Sequence, residues 1–267
     1  MSMGLNVCVA GATGWIGRPL CFAIASARDM NLVSAVSREH SGKRLKDVLT
    51  DVDVEVIISG SVGEALETSA DVLVDYTSPE IVKANVLAAV RKGVHVVIGT
   101  SGLTDQDFVE INEAALDRNV GVIAAGNFAI TAILLERFAR EAARYLPHWE
   151  IIDYAAAGKV DAPSGVSREL AFRLAQVRRP ETIYPVEKTV GVRESRGAEL
   201  NGSRVHSLRL PGYTIALEII FGANDERLAI RHDAGSGAEP YLSGTLLAIR
   251  KVKNQIGLIR GLDNLLE

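Results

Sequence analysis

The sequence predicts an α/β fold in two parts. A parallel sheet with helices on both faces comes first, and a second mixed α/β domain with an antiparallel-rich sheet follows. Three observations predict this. The first half alternates short apolar runs with helix-like segments. Those runs are continuously apolar rather than alternating, which signals burial on both faces and hence a parallel sheet. After about Gly126 the pattern changes to strand-like runs joined by turn signals. The expected boundaries are 1–126 plus 241–267 for the first domain and 127–240 for the second.

Asn6–Ala10 is the first apolar strand, and a helix is expected from about Gly14 to Arg28. Asn31–Val36, Val54–Ser59 and Asp71–Thr77 are the next strands. Pro79 suits the first turn of a helix running to Lys92, and Gly93 suits its end. His95–Thr100 is a strand, and Thr104–Asn119 a helix with Thr104 as N-cap and Asp107 three residues on. Val120–Ala125 is the last strand of this series. Beyond it, Ile130–Leu146 reads as a helix, Glu150–Ala155 as a strand and Ser164–Gln176 as a helix. Tyr184–Val192, Val205–Leu210, Thr214–Phe221 and Arg227–His232 have strand character. The segments 209–213 (Arg-Leu-Pro-Gly-Tyr) and 222–225 (Gly-Ala-Asn-Asp) read as hairpin turns between them. Tyr241–Asn254 is the last helix, and the tail from Leu258 is expected to pack back on the first domain.

Composition narrows the function classes. Of 267 residues, 48% are hydrophobic and 23% charged, which is globular rather than disordered. A net charge of -4 gives no basic face for nucleic acid. No apolar run approaches the roughly 20 residues that cross a bilayer. The N-terminus lacks a basic stretch before its apolar strand, so no secretory signal is expected. Cys8 and Cys21 read as small buried hydrophobes rather than a disulfide or a metal pair, so the expected compartment is cytoplasmic and no metal is expected.

The segment 7–17 reads strand, then Gly11-x-x-Gly14-x-x-Gly17, then helix. Gly11 permits a tight turn, Gly14 lets a pyrophosphate approach, and Gly17 lets helix and strand pack closely. Unpaired N–H groups at the helix start complete an anion site. Thr13, Trp15 and Ile16 belong to the same turn. The end of the second strand separates NAD from NADP, and Ser37-Arg38 there fits a 2′-phosphate, which arginine binds in bidentate fashion. The expected cofactor is therefore NADPH, with NADH possible. Two further loops lie at strand carboxyl ends, where α/β sheets bind ligands: Asp75–Pro79, with Tyr76 and Thr77, and Gly99–Gly102, with Thr100.

Taken together, these residues resemble the dihydrodipicolinate reductase family. The likeness runs through the glycine turn, Asp75-Tyr-Thr-Ser-Pro-Glu80, Gly99-Thr-Ser-Gly102, Gly126-Asn-Phe128, Lys159-Val-Asp-Ala-Pro-Ser-Gly165 and the later segments 205–214 and 221–233. It implies a Rossmann domain closed by the C-terminal tail, a mixed second domain that builds homotetramers, and hydride transfer from NADPH or NADH to an unsaturated cyclic dicarboxylate. It implies that Gly11, Gly14 and Gly17 hold pyrophosphate and that Arg38 contacts the adenosine side. Gly99 and Thr100 fall at the nicotinamide side, with Asn127 and Phe128 as further cofactor candidates. Lys159, Ser164, Gly165 and Val166 fall at the substrate loop, Val166 standing where the family has threonine.

One departure stands out. The family carries a His-His pair after Glu-Ile-Ile-Glu-Ala, the first taken as catalytic acid and the second as a substrate contact. Here the sequence is Glu150-Ile-Ile-Asp-Tyr154-Ala155-Ala156. Methyl groups replace both imidazoles. General acid catalysis is typically worth about 10²–10⁴-fold, so Lys159 and Tyr154 become the candidate catalytic residues. The expectation is an NAD(P)H-dependent reductase of a small-molecule imine, with the substrate changed. The alternatives are the 4-hydroxy-tetrahydrodipicolinate reductase of lysine and diaminopimelate biosynthesis with a substitute proton donor, and a non-catalytic nucleotide-binding regulator.

Overall fold

The computed structural model describes residues 4–266. The chain forms two compact units, Met1–Ala129 with Ala238–Glu267, and Ile130–Gly237. The first unit begins with β1 (Leu5–Ala10), α1 (Gly17–Ser26), β2 (Met30–Val36), α2 (Leu45–Val48), β3 (Ile58–Ser59) and α3 (Val62–Ala65). It continues with β4 (Val72–Asp75), α4 (Val82–Arg91), β5 (His95–Ile98), α5 (Asp105–Asp117) and β6 (Gly121–Ala124). The second unit holds α6 (Ile130–Ala143), β7 (His148–Ala155), α7 (Gly165–Val177), β8 (Ala198–Leu200), β9 (Ser203–Arg209), β10 (Ile215–Ala223) and β11 (Glu226–Ala234). The chain then returns to the first unit with α8 (Glu239–Val252) and β12 (Gly257–Arg260).

The first unit is a seven-stranded sheet of order β12-β6-β5-β4-β1-β2-β3, parallel throughout. β4 and β6 are buried at every residue, the mark of a sheet covered on both faces. The strand order reverses beside β1, which lies between β4 and β2, and such a switch point is where open α/β sheets bind ligands. This is a Rossmann-type unit. The tail adds β12 alongside β6. Thr104 caps α5 reciprocally with Asp107. Cys8 and Cys21 are free and buried, and burial pushes both thiols up to about 12.

Some boundaries differ from expectation. α1 starts at Gly17, because residues 14–16 complete the tight turn first. α4 starts at Val82, since Ser78–Ile81 forms a turn closed by the Ile81 N–H on the Ser78 carbonyl. The strand expected over 54–59 is ordered as strand only at Ile58–Ser59, the stretch that reaches β2.

The second unit is a mixed sheet of order β11-β10-β7-β9-β8. β10 and β11 form the expected hairpin, with Ala223 opposite Glu226 and a two-residue turn between them. The hairpin expected between β9 and β10 is absent. β7 lies between them, parallel to β9 and antiparallel to β10. α6 and α7 supply Leu135, Ala139, Leu170 and Leu174 to a core shared with Trp149, Ile151 and Phe221 of the sheet. The strand expected over 184–192 is also absent. The segment holds a single short turn of helix, Val186–Lys188, and its Tyr184 and Val190 face solvent with no strand beside them. β8 forms instead, paired to β9. Among the described residues, no helix is long and apolar enough to cross a membrane.

Candidate active site

The glycine turn is built by close approach. Gly11 has φ +82°, and a Cβ on it would lie 2.1 Å from the Tyr76 carbonyl oxygen. A Cβ on Gly17 would lie 1.9 Å from the Gly11 carbonyl oxygen. Both positions therefore require glycine. Gly14 is less crowded, and its N–H donates to the Gly11 carbonyl. The N–H groups of Trp15, Ile16 and Gly17 find no acceptor among the described residues. They form an uncommitted donor set at the start of α1, which suits a diphosphate. The Trp15 ring is largely exposed and meets Tyr241 edge-on.

Thr13 and Ser37 join their hydroxyls at 2.8 Å, tying the turn to the end of β2. Arg18 reinforces the turn by donating to the Thr13 carbonyl. Beside it lies an open cleft lined by Arg18, His40, Lys43 and Arg44, with Asp47 as its acidic residue. Arg38 is exposed, and its charge helps hold the Glu80 carboxyl below the usual range, after hydrogen bonds from Ser78 and the Glu80 backbone.

Tyr76 is the hub of the carboxyl edge. Its hydroxyl pairs with that of Thr245 on α8 at 2.7 Å, and its ring meets Phe128 edge-on. A Cβ on Gly99 would lie 2.1 Å from the same ring. Burial raises the Tyr76 hydroxyl well above the ordinary tyrosine range. Thr77 and Thr100 both donate to Asp75 at 2.7 Å. Asn127 accepts from the Ala129 N–H and so shapes its own turn. The structure thus gathers Gly11, Tyr76, Thr77, Gly99, Thr100 and Phe128 around one edge of the first unit.

In the second unit, a tight turn leads out of β7, closed by the Lys159 N–H on the Ala156 carbonyl. Lys159 pairs with Asp161 at 2.6 Å, both side chains remaining about a third exposed (32% and 38%). Ser164 caps α7 by accepting from the Ser167 N–H. The Gly165 and Val166 N–H groups that follow have no acceptor among the described residues. The Val166 side chain, by contrast, packs against the apolar core. A buried carboxylate anchors the loop. Asp153 is 1% exposed and accepts from the Ser164 N–H at 2.8 Å, from Arg209 at 2.8 Å and from Ser207 at 3.2 Å. Arg209 also donates to the Asp161 carbonyl at 2.7 Å. Burial works to raise the Asp153 carboxyl, but the hydrogen bonds from Ser164 and Arg209 outweigh it and hold the group below its usual range.

Tyr154 is not brought to this loop. Successive side chains of β7 point to opposite faces, and Tyr154 donates to Glu218 on β10 at 2.7 Å, with Arg231 over its ring. Burial, followed by the Glu218 hydrogen bond, pushes its hydroxyl up to about 12, which makes it a poor acid. Ala155 is fully buried and Ala156 exposed. Sequence reasoning missed Asp153 and Arg209 as site residues, and named Asp75 only as the first residue of its loop. The one signal for Asp75 was a carboxylate closing an otherwise apolar run.

Two family models match the chain. Dihydrodipicolinate reductase, N-terminus, covers residues 5–128, and dihydrodipicolinate reductase, C-terminus, covers residues 131–266. The chain belongs to the dihydrodipicolinate reductase family. It is an NAD(P)H-dependent oxidoreductase of that family. The 4-hydroxy-tetrahydrodipicolinate reductase of Desulfitobacterium hafniense is 39% identical over 98% of this chain and 99% of its own. That of Listeria monocytogenes is 34% identical over 98% of this chain and 100% of its own. Among solved structures, dipicolinate-bound dihydrodipicolinate reductase from Paenisporosarcina sp. TG-14 superposes with a TM-score of 0.87 at 30% identity, covering 99% of this chain and 100% of that one. An amine dehydrogenase from Mycobacterium smegmatis shares the fold alone, with a TM-score of 0.68 at 13% identity over 97% of this chain and 95% of its own.

Proposed function

We propose that the chain is a 4-hydroxy-tetrahydrodipicolinate reductase that passes hydride from NADPH, and less readily from NADH, to an unsaturated cyclic dicarboxylate. The observation that carries this reading is the Lys159–Gly165 segment, anchored by Asp153 and Arg209, in a chain 39% identical to a reductase of that name over 98% of its length. The expectation of a changed substrate draws no support from these relatives, and we set it aside. A non-catalytic nucleotide-binding role would leave the substrate loop without use.

When bound, the cofactor supplies the hydride. The chain's own groups do the rest. The free N–H groups of Trp15, Ile16 and Gly17 face the charge of a pyrophosphate. The basic cleft of Arg18, His40, Lys43 and Arg44, with Ser37 and Arg38 nearby, favours the extra charge of a 2′-phosphate. In the second unit, the Gly165 and Val166 N–H groups and the Lys159 ammonium offer charge-assisted hydrogen bonds to a carboxylate. Val166 thus contributes its backbone rather than its side chain. Reduction of C=N also needs a proton on nitrogen. With Ala155 and Ala156 in place of the histidines, that proton comes from Lys159 or from an iminium already protonated by solvent, and Tyr154 is excluded by its bond to Glu218.

We also propose a homotetramer. Ile183, Val190 and Val192 are 86%, 95% and 69% exposed in one segment of the second unit, a concentration of apolar surface that suits an interface.

The experiment is titration with dipicolinate in the presence of NADPH. Binding, weakened about tenfold or more in Lys159→Ala as for loss of one charge-assisted contact, supports the reading. Absence of dipicolinate binding while NADPH still binds overturns it in favour of a less acidic imine, the reading that the two alanines favour.

A further inference from the structure

Asp75 closes β4 with no solvent exposure and has no ion pair among the described residues. A buried carboxylate without a cation is costly unless it is fully hydrogen-bonded. Here it is. One oxygen accepts from the Thr77 N–H at 3.1 Å and from the Thr77 and Thr100 hydroxyls, each at 2.7 Å. The other accepts from the Asn85 amide at 2.8 Å. Two of these partners are N–H groups, which can only donate.

The consequence lies in the hydroxyls. Each threonine has one proton and two lone pairs, and a carboxylate can only accept. Both protons are therefore committed inward to Asp75. The Thr100 oxygen further accepts the Thr77 N–H at 2.7 Å, and the Thr77 oxygen receives only a long approach from Asn85 at 3.5 Å. What both hydroxyls retain for a ligand is a lone pair.

Their place in the sheet says which part of a ligand they meet. The switch point lies beside β1, and the residue at the end of β2 reads the ribose of the adenosine half. The other half of a dinucleotide then lies over the ends of β4 and β5, which carry Thr77 and Thr100. We infer that Asp75 is a positioning residue that locks the Thr77 and Thr100 hydroxyls as acceptors, selecting a hydrogen-bond donor in the nicotinamide half of the cofactor. That donor is the carboxamide N–H or a ribose O–H. The inference rests on the proposed cofactor reading.

The test is equilibrium binding of NADPH and of 2′,5′-ADP, which lacks the nicotinamide half, to the full chain and to Asp75→Leu. Asparagine would keep its oxygen on the Thr77 N–H and both hydroxyls, whereas leucine accepts nothing, so both threonine protons are released and turn to the ligand. NADPH affinity should fall about tenfold or more, the scale of one misdirected buried hydrogen bond, while 2′,5′-ADP affinity stays within about twofold. A purely structural role would weaken both ligands together, and that result, or unchanged NADPH affinity, would overturn the inference. Thr100→Val and Thr100→Ser repeat the test without touching the carboxylate: valine should lose NADPH affinity and serine should keep it, and equal behaviour of the two is a contrary result. The 3-acetylpyridine analogue of NADPH, which has no amide N–H, separates the donors. Its affinity is insensitive to Asp75→Leu if the carboxamide is the partner, and falls like that of NADPH if the ribose is. Failure of the unaltered chain to bind either NADPH or 2′,5′-ADP would instead overturn the cofactor reading itself, and this inference with it.

Discussion

Replacing Asp153 by alanine should unlatch the substrate loop and expose how much of its order comes from one buried carboxylate. The side chain is 1% exposed and accepts three hydrogen bonds, from the Ser164 N–H, Arg209 and Ser207. Arg209 is itself 15% exposed, so its charge would be stranded. Removing one partner of a buried ion pair costs about 3–5 kcal/mol. At about 2–4 °C per kcal/mol for a protein of this size, Tm should fall by roughly 6–20 °C. A double-mutant cycle with Arg209→Met isolates the pair, and the double variant should be more stable than the sum of the singles implies. The same group predicts an acid limb. Because the folded Asp153 carboxyl titrates below its ordinary range, its stabilisation is present above the unfolded value of about 3.9 and is lost as pH falls through the folded value. Asp153→Ala should therefore flatten the loss of stability between about pH 4 and lower values. A Tm within about 2 °C of the unaltered protein, less than about 1 kcal/mol on the same scale, would refute the reasoning, as would an unchanged acid limb.

Lys159→Ala should lower kcat/KM by about 10²-fold, the scale of a lost proton donor or charge-assisted contact, with the dissociation constant of NADPH unchanged; a parallel loss of cofactor affinity would contradict its assignment to the substrate. The chain should bind NADPH more tightly than NADH, and Lys43→Ala and Arg38→Ala should each narrow that gap, which should also shrink as salt is raised; equal affinities in the unaltered protein would remove the role given to the basic cleft. Light scattering at micromolar concentration should return the mass of a tetramer, and a monomer would show that the apolar segment around Val190 has another use.

The parallel sheet was legible because its strands are buried on both faces and read as unbroken apolar runs, as in Val72–Val74 and Val96–Ile98. The glycine turn was legible because its demands are local: Gly17 packs against the Gly11 carbonyl within the turn, and Gly11 itself has φ +82°. The segment 184–192 misled because β-prone side chains describe a strand only if another strand lies alongside, and Tyr184 and Val190 have none. The order of the second sheet was hidden for a similar reason. β9 and β10 are neighbours in sequence, but β7, from some fifty residues earlier, separates them. The buried carboxylates were the least legible part of the site. Asp153 meets Arg209 56 residues away, and Asp75 meets Thr100 25 residues away. Nothing in the local pattern of either carboxylate names such a partner.

The sharpest departure from the family pattern remains the pair Ala155-Ala156. A small, uncharged pair can be reconciled with retained chemistry only if the loop does the binding and the proton arrives from Lys159 or with the iminium itself. The most direct measurement is the rate of NADPH oxidation with 4-hydroxy-tetrahydrodipicolinate, beside a panel of cyclic imines that lack the carboxylates. The account predicts saturable oxidation with the dicarboxylate, exceeding that with every other imine, and abolished by added dipicolinate. Oxidation with an imine lacking the carboxylates, and none with the dicarboxylate, would contradict it.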